Sequence, residues 1–176
     1  PSDGLAGSEI IVAMQRQARK LEKDGKLEIM LKTTATTLLR NAKGHTDGVI
    51  ATATKSGAEL KLNGFEAVVL ATGGYANDRT SSSLLERFRP DLVQLASTNF
   101  PGATGDGHKL AMEAGAQTVD MDHVQVHPTA FIDGKKPSAR RKTLCAEILR
   151  GVGGILLDSI TGSRFANELG KRDYLV

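Results

Sequence analysis

Apolar positions follow two different rhythms along this chain, and the contrast sorts its elements. In SEIIVAMQRQARKLEKDGK, Ile10, Ile11, Met14, Ala18 and Leu21 recur at three- and four-residue spacing and share one helix face. Ser8 offers an N-cap and Gly25 a stop. The segment LEIMLKTTATTLLRN, rich in Leu, Ile and Thr, reads as extended. HTDG at 45–48 supplies an Asp-Gly turn, and VIATATKSG and AELKLNG follow as short strands. Leu27 to Leu62 is therefore predicted as an antiparallel meander.

FEAVVLATGG breaks the rhythm. Ala67 to Ala71 are continuously apolar and two glycines follow. That pattern predicts a strand buried on both faces, ending in a bend where backbone approaches a ligand. SSSLLERFRPDL reads as a serine-capped short helix with a proline stop, and TGDGHKLAMEAGA as a second helix with Leu110, Ala111 and Ala114 inward. QTVDMDHVQVHPT reads as extended, TLCAEILRG as a short helix or turn, and GGILLDSITGSRFANE as a hairpin around Ser159 to Gly162. Helices and strands alternate without repeats, so the fold class is a mixed α/β one.

Composition narrows the partners. The chain has 176 residues and a net charge of +3, enough for one domain or one domain and part of a second. Lysines and arginines are interspersed with acids and aromatics are few, which excludes the basic, aromatic-laced stripe of a nucleic-acid binder. The densest basic run, KKPSARRK from Lys135 to Lys142, reads as a solvated loop or an anion-attracting lip. A single cysteine, Cys145, excludes an internal disulfide and favours a reducing compartment: cytosol, mitochondrion or another organelle. No apolar run approaches the ~18 residues of a membrane span. The chain opens on Pro1 rather than Met, which is read as trimming.

Four stretches carry candidate chemistry. DGLAG, Asp3 to Gly7, lacks the spacing and the preceding strand of a dinucleotide fingerprint. NFPGATGDGHKL, Asn99 to Leu110, sets Gly105 and Gly107 at a helix start, where a ribose or flavin can approach the main chain; Asp106 capping that helix is the alternative. VQVHPT places His127 at a strand end, and His108 and His123 form no metal-ligand pattern with it, so no metal site is expected. In AEILRG, Glu147 and Arg150 are three apart on one helix face, with Arg172 further on. They form either a surface ion pair or a carboxylate linking two arginines. Arginine has a pKa above ~12 and donates a proton only if a neighbour restores it at once, a task a shared glutamate performs.

Taken together, AVVLATGG, TNFPGATGDGHKLAMEAGA, MDHVQVHPT, AEILRGVGGILLD and RFANELGKRD resemble, in order and spacing, the soluble FAD-dependent fumarate reductases, relatives of the succinate dehydrogenase flavin subunit. The resemblance spans Phe65 to Asp173. It implies part of an FAD-binding Rossmann-like domain with the antiparallel meander, over residues 1–126, followed by the start of a capping domain at 127–176. FAD would contact Ala35, Thr72, Gly73, Gly74, Asn99, Thr104, Gly105, Asp106 and Gly107. His127, Glu147 and Arg172 would bind substrate, His127 holding one carboxylate; Glu147 and Arg150 would relay protons, and Arg172 would be the general acid. The implied reaction reduces fumarate to succinate by hydride transfer from flavin N5. The short NELGKRD spacing resembles soluble fumarate and urocanate reductases rather than membrane-complex dehydrogenases or aspartate oxidases. Leu144 and Ala146 stand where soluble members often carry Met and Thr, which points to another enoic acid, urocanate-like, as the alternative substrate. An NADH-linked reductase domain, a haem domain and free reduced flavin are all compatible electron donors. The G-x-G-x-x-G unit and the second half of the cap are not in the sequence, so it reads as an internal fragment, inactive or merely a binding module on its own.

Overall fold

The computed structural model describes residues 6–176. The chain forms two compact units, Pro1–Val68 and Val69–Val176. The domain boundary expected at 126/127 lies inside the second. Among the described residues no helix is long and apolar enough to cross a membrane.

The first unit opens with α1, Ala6–Lys23. Glu9 in the first turn and Lys20 and Lys23 in the last suit the helix dipole. The helix closes where Gly25 takes φ 66° and Lys26 N–H donates back to the Leu21 carbonyl at 2.9 Å, a glycine-dependent C-terminal lock. The start differs from expectation: Ser8 lies inside the helix rather than capping it. The residues before Ala6 lie outside the described part. The apolar face of Ile10, Ile11 and Met14 remains exposed.

The meander forms as expected, with β1 (Thr33–Arg40), β2 (Thr46–Ala53) and β3 (Glu59–Leu62) antiparallel in the order β1-β2-β3. Two boundaries move. Lys32 takes φ 54°, so the extended run starts at Thr33 and not at Leu27. The first turn sits at 41–45, where the Asn41 side chain accepts from the N–H groups of Lys43 and His45 and Gly44 takes φ 80°. Asp47 and Gly48, expected in the turn, already belong to β2, with Gly48 opposite Leu39. A Cβ on Gly48 would come within 2.4 Å of the Leu62 carbonyl oxygen, so that position admits only glycine.

The second unit is built on short elements: α2 (Leu84–Phe88), a 3-10 turn at Pro90–Leu92, α3 (Asp106–Glu113), a two-residue ribbon of β4 (Ala130–Phe131) with β5 (Thr143–Leu144), α4 (Ile148–Gly151) and α5 (Arg172–Leu175). Ser83 caps α2 by accepting from Glu86 N–H at 3.0 Å. Leu84, Leu85, Leu92, Leu110 and Met121 form the buried apolar core. A buried polar knot joins them. Asp78, fully buried, accepts from Leu84 N–H at 2.8 Å and the Thr80 hydroxyl at 2.7 Å, and pairs with Lys109 of α3 at 2.9 Å. Burial alone would raise the Asp78 pKa; the Leu84 N–H, the Thr80 hydroxyl and Lys109 outweigh it and hold it below the ordinary range.

Two expected strands do not form ladders. Residues 67–72 are irregular and Val69 is 84% exposed, so the strand expected to be buried on both faces is absent here. A continuously apolar strand needs neighbours on each side, and among the described residues none pairs with it. Residues 117–129 run without a ladder too; there Arg89 donates to the carbonyls of Asp122 and Val124. The expected hairpin reduces to one bridge, Leu157 with Arg164, closed by a turn in which Asp158 accepts from Ile160 and Thr161.

Candidate active site

α4 begins immediately after Glu147, and its single turn aims Glu147 and Arg150 the same way. α5 begins at Arg172, which brings its guanidinium back across 25 residues. Glu147 receives both: Arg172 Nε at 2.5 Å and Nη2 at 2.9 Å, Arg150 Nη2 at 3.2 Å. This is a two-pronged arginine–carboxylate fork with a second arginine on its flank. It is more than a surface i,i+3 pair, because the Arg150 side chain is only 10% exposed. Arg172 holds the Glu147 carboxyl down at about 2, with Arg150 and His127 adding to the effect against partial burial. The same hydrogen bonding raises Arg172 above its ordinary value. Glu147 is thus a standing anion, and Arg172 rests fully protonated.

Arg172 also donates from Nη1 to Gln125 Oε1 at 2.8 Å. Gln125 and Arg172 stand on a wall between two hollows. One, about 290 Å³, is lined by His127, Asn99, Ser97, Lys142 and Leu144 besides Gln125 and Arg172. The other, about 430 Å³ and more open, is lined by Glu147, Arg150, Glu168 and Asp173 with the same two residues. His127 Nδ1 lies 2.9 Å from the Thr129 carbonyl, an acceptor, which assigns the proton to Nδ1 and leaves Nε2 for a ligand. The Thr129 hydroxyl in turn donates to the Cys145 carbonyl at 3.0 Å, tying the HPT turn to the strand before Glu147.

The two glycine clusters meet. Gly105 N–H donates to the Gly74 carbonyl at 3.1 Å, and a Cβ on Gly107 would fall 2.1 Å from the Thr72 hydroxyl oxygen. Gly105, at φ 71°, stands as the N-cap of α3, and no side chain caps the helix. Asp106 therefore does not take the capping role; it accepts from the Thr104 hydroxyl at 2.9 Å. Gly73 and Gly74 face open space where a Cβ would sit. Main chain at 72–74 is thus approachable from outside and clamped from behind by the start of α3, which suits a ligand lying directly on the backbone. Asn99 joins the first hollow, held by Ser97. Ala35 belongs to the first unit, exposed beside the irregularity of β1 between Ala35 and Thr37.

The chain has relatives among known proteins. The sequence matches the FAD binding domain family over residues 2–176. The chain belongs to that family. This flavoprotein is 56% identical over 108 residues to a fumarate reductase of Schizosaccharomyces pombe, covering 61% of this chain and 21% of that protein. It is 37% identical over 167 residues to fumarate reductase 1 of Saccharomyces cerevisiae, covering 95% of the chain and 35% of that protein. Its fold matches the open conformation of a flavocytochrome c3 fumarate reductase with a TM-score of 0.69 and 30% identity, over 98% of this chain and 28% of that one. The flavoprotein therefore spans between about a fifth and a third of these relatives. The expected mixed fold, the FAD cofactor and the fumarate reductase resemblance agree with these matches.

Sequence reasoning missed Gln125 and Glu168, and had Lys142 only as the end of the basic run read as a solvated loop or an anion-attracting lip. Gln125 was detectable: it lies two residues before His127 in an extended run, hence on the same side. Glu168 had one local signal, Arg164 four residues before it, while its other partners come from Leu156 and Arg150 further along the chain.

Proposed function

We propose that this chain carries the proton-delivery half of an FAD-dependent fumarate reductase. One observation carries the reading: Arg172 faces the hollow lined by His127 on one side and Glu147 with Arg150 on the other. FAD would lie on Thr72, Gly73, Gly74 and the Thr104–Gly107 turn, with Asn99 as a further contact; when bound and reduced it supplies a hydride to one alkene carbon. With its ring protonated on both nitrogens, His127 binds one carboxylate of the dianion by donating from Nε2. Arg172 polarises the substrate and gives a guanidinium proton to the second alkene carbon, whose new C–H bond takes up the displaced π pair. Glu147, unprotonated at rest, passes a proton from the Arg150 side to refill Arg172, so no charge is left uncompensated. In the same reading the flavin domain runs to residue 126, and His127 opens the cap.

The test is turnover by the full-length flavoprotein with a chemical reductant, on fumarate and on urocanate. Reduction of fumarate, abolished in Arg172→Ala while flavin stays bound, is expected. Undiminished turnover in Arg172→Ala would overturn the assignment of the acid. Preference for urocanate would move the substrate to the alternative enoic acid and keep the relay.

A further inference from the structure

We infer that Glu168 is a positioning residue for the relay, fixing Arg150 against Glu147 without touching substrate. The inference rests on the relay reading for its kinetic consequences, but its geometry stands alone. Glu168 is 4% exposed, a rare state for a glutamate. Its Oε1 accepts from Leu156 N–H at 2.8 Å and from Arg164 Nε at 3.0 Å, and its Oε2 accepts from Arg164 Nη2 at 2.5 Å. The carboxylate thereby staples residues 164–168 to the irregular segment that leaves α4. The Glu168 main-chain carbonyl, placed by that staple, accepts from Arg150 Nη1.

Arg150 depends on this acceptor. Its guanidinium has two partners, the Glu168 carbonyl and Glu147, and its Nε is buried without one. A buried guanidinium already short of one acceptor has little to hold it if a second withdraws. Further along, Gly170 N–H closes a turn onto Asn167, and two residues later α5 delivers Arg172. One buried carboxylate therefore sets the position of the segment that both holds Arg150 and leads to Arg172. His127 is held by a separate tie, the Thr129 carbonyl.

Glu168→Ala and Glu168→Gln in the full-length flavoprotein test this. Loss of the staple is expected to lower kcat roughly 10- to 100-fold, the scale of a displaced catalytic geometry, with KM for the dicarboxylate nearly unchanged because His127 is untouched. Glu168→Gln, whose amide oxygen still accepts from Leu156, is expected between wild type and Glu168→Ala. The crystal structure of either variant should show the Arg150 guanidinium displaced from Glu147. Unchanged kcat, a loss residing wholly in KM, or an undisturbed Arg150 would each overturn the inference. If Glu168→Ala does not fold, Glu168→Gln and Arg164→Lys carry both readouts. If the wild-type flavoprotein reduces neither fumarate nor urocanate, the relay reading fails, and the position of Arg150 in the variant structures still decides the role of Glu168.

Discussion

At the residue scale, Glu147 does two jobs that pull its chemistry in one direction. It anchors Arg172 and it neutralises Arg150, and both keep it ionised. Glu147→Gln keeps the shape and removes the charge, leaving Arg150 nearly buried with no anion beside it. We expect kcat to fall by ~10²–10⁴, the usual range for a lost proton-transfer group, measured as turnover of the full-length flavoprotein. The stability consequence has a definite sign. The folded carboxyl titrates at about 2 against an ordinary 4.5. The stabilisation from its charge is therefore complete above the ordinary value and is lost as pH falls toward 2. The gap in Tm between wild type and Glu147→Gln should stay constant from pH 7 to 5 and shrink below it. A gap that persists unchanged to pH 2.5 would mean that the charge contributes nothing.

At the scale of elements, the first turn of α3 lies directly against the Thr72 side chain, so that any Cβ at 107 forces a shift. Gly107→Ala puts a methyl carbon 2.1 Å from the Thr72 hydroxyl oxygen, and relief means turning the Thr72 side chain or moving α3 off the 72–74 backbone. The cost expected is about 1–3 kcal/mol, as for other overpacked sites, with a lower flavin-to-protein absorbance ratio. Thr72→Ala removes the clashing atom, so the double variant should recover flavin content beyond either additive expectation. Flavin content unaffected by Gly107→Ala would separate this packing from the cofactor. Such elements were legible where the information is local. The three- and four-residue spacing gave α1, and alternating Thr, Leu and Val with turn residues gave the meander. AVVLATGG failed as a strand because a ladder is a property of neighbours, which no local pattern contains. The turn at 41–45 was hidden behind HTDG because the decisive group is the Asn41 side chain. In the site, Glu147 and Arg150 were readable from their spacing and Arg172 as a second arginine for the same carboxylate, its role as acid entered through the family resemblance, and Glu168 came through the folded structure.

At the scale of the whole molecule, the polar fastenings are better developed than the apolar ones. In the second unit five apolar side chains are buried, while Val69 and Ile160 are 84% and 92% exposed, and Phe100, Val119 and Val152 are also largely in solvent. Exposed apolar surface of this extent is the mark of a face that another surface covers. The 176-residue chain on its own should therefore bind ANS strongly and unfold over a broad temperature range with low calorimetric enthalpy. The full-length flavoprotein, its apolar faces covered, should exclude the dye and melt cooperatively. The Asp78–Lys109 knot adds a pH signature to the isolated chain. Because the Asp78 carboxyl is held below its ordinary range, its contribution is whole at neutral pH and disappears as pH falls through the depressed value, loosening α3 from α2. Dye binding should accordingly rise further on acidification, and less so in Asp78→Asn, where no charge remains to titrate. A sharp transition with calorimetric and van't Hoff enthalpies equal, and no dye binding, would show that these faces are already covered in the isolated chain.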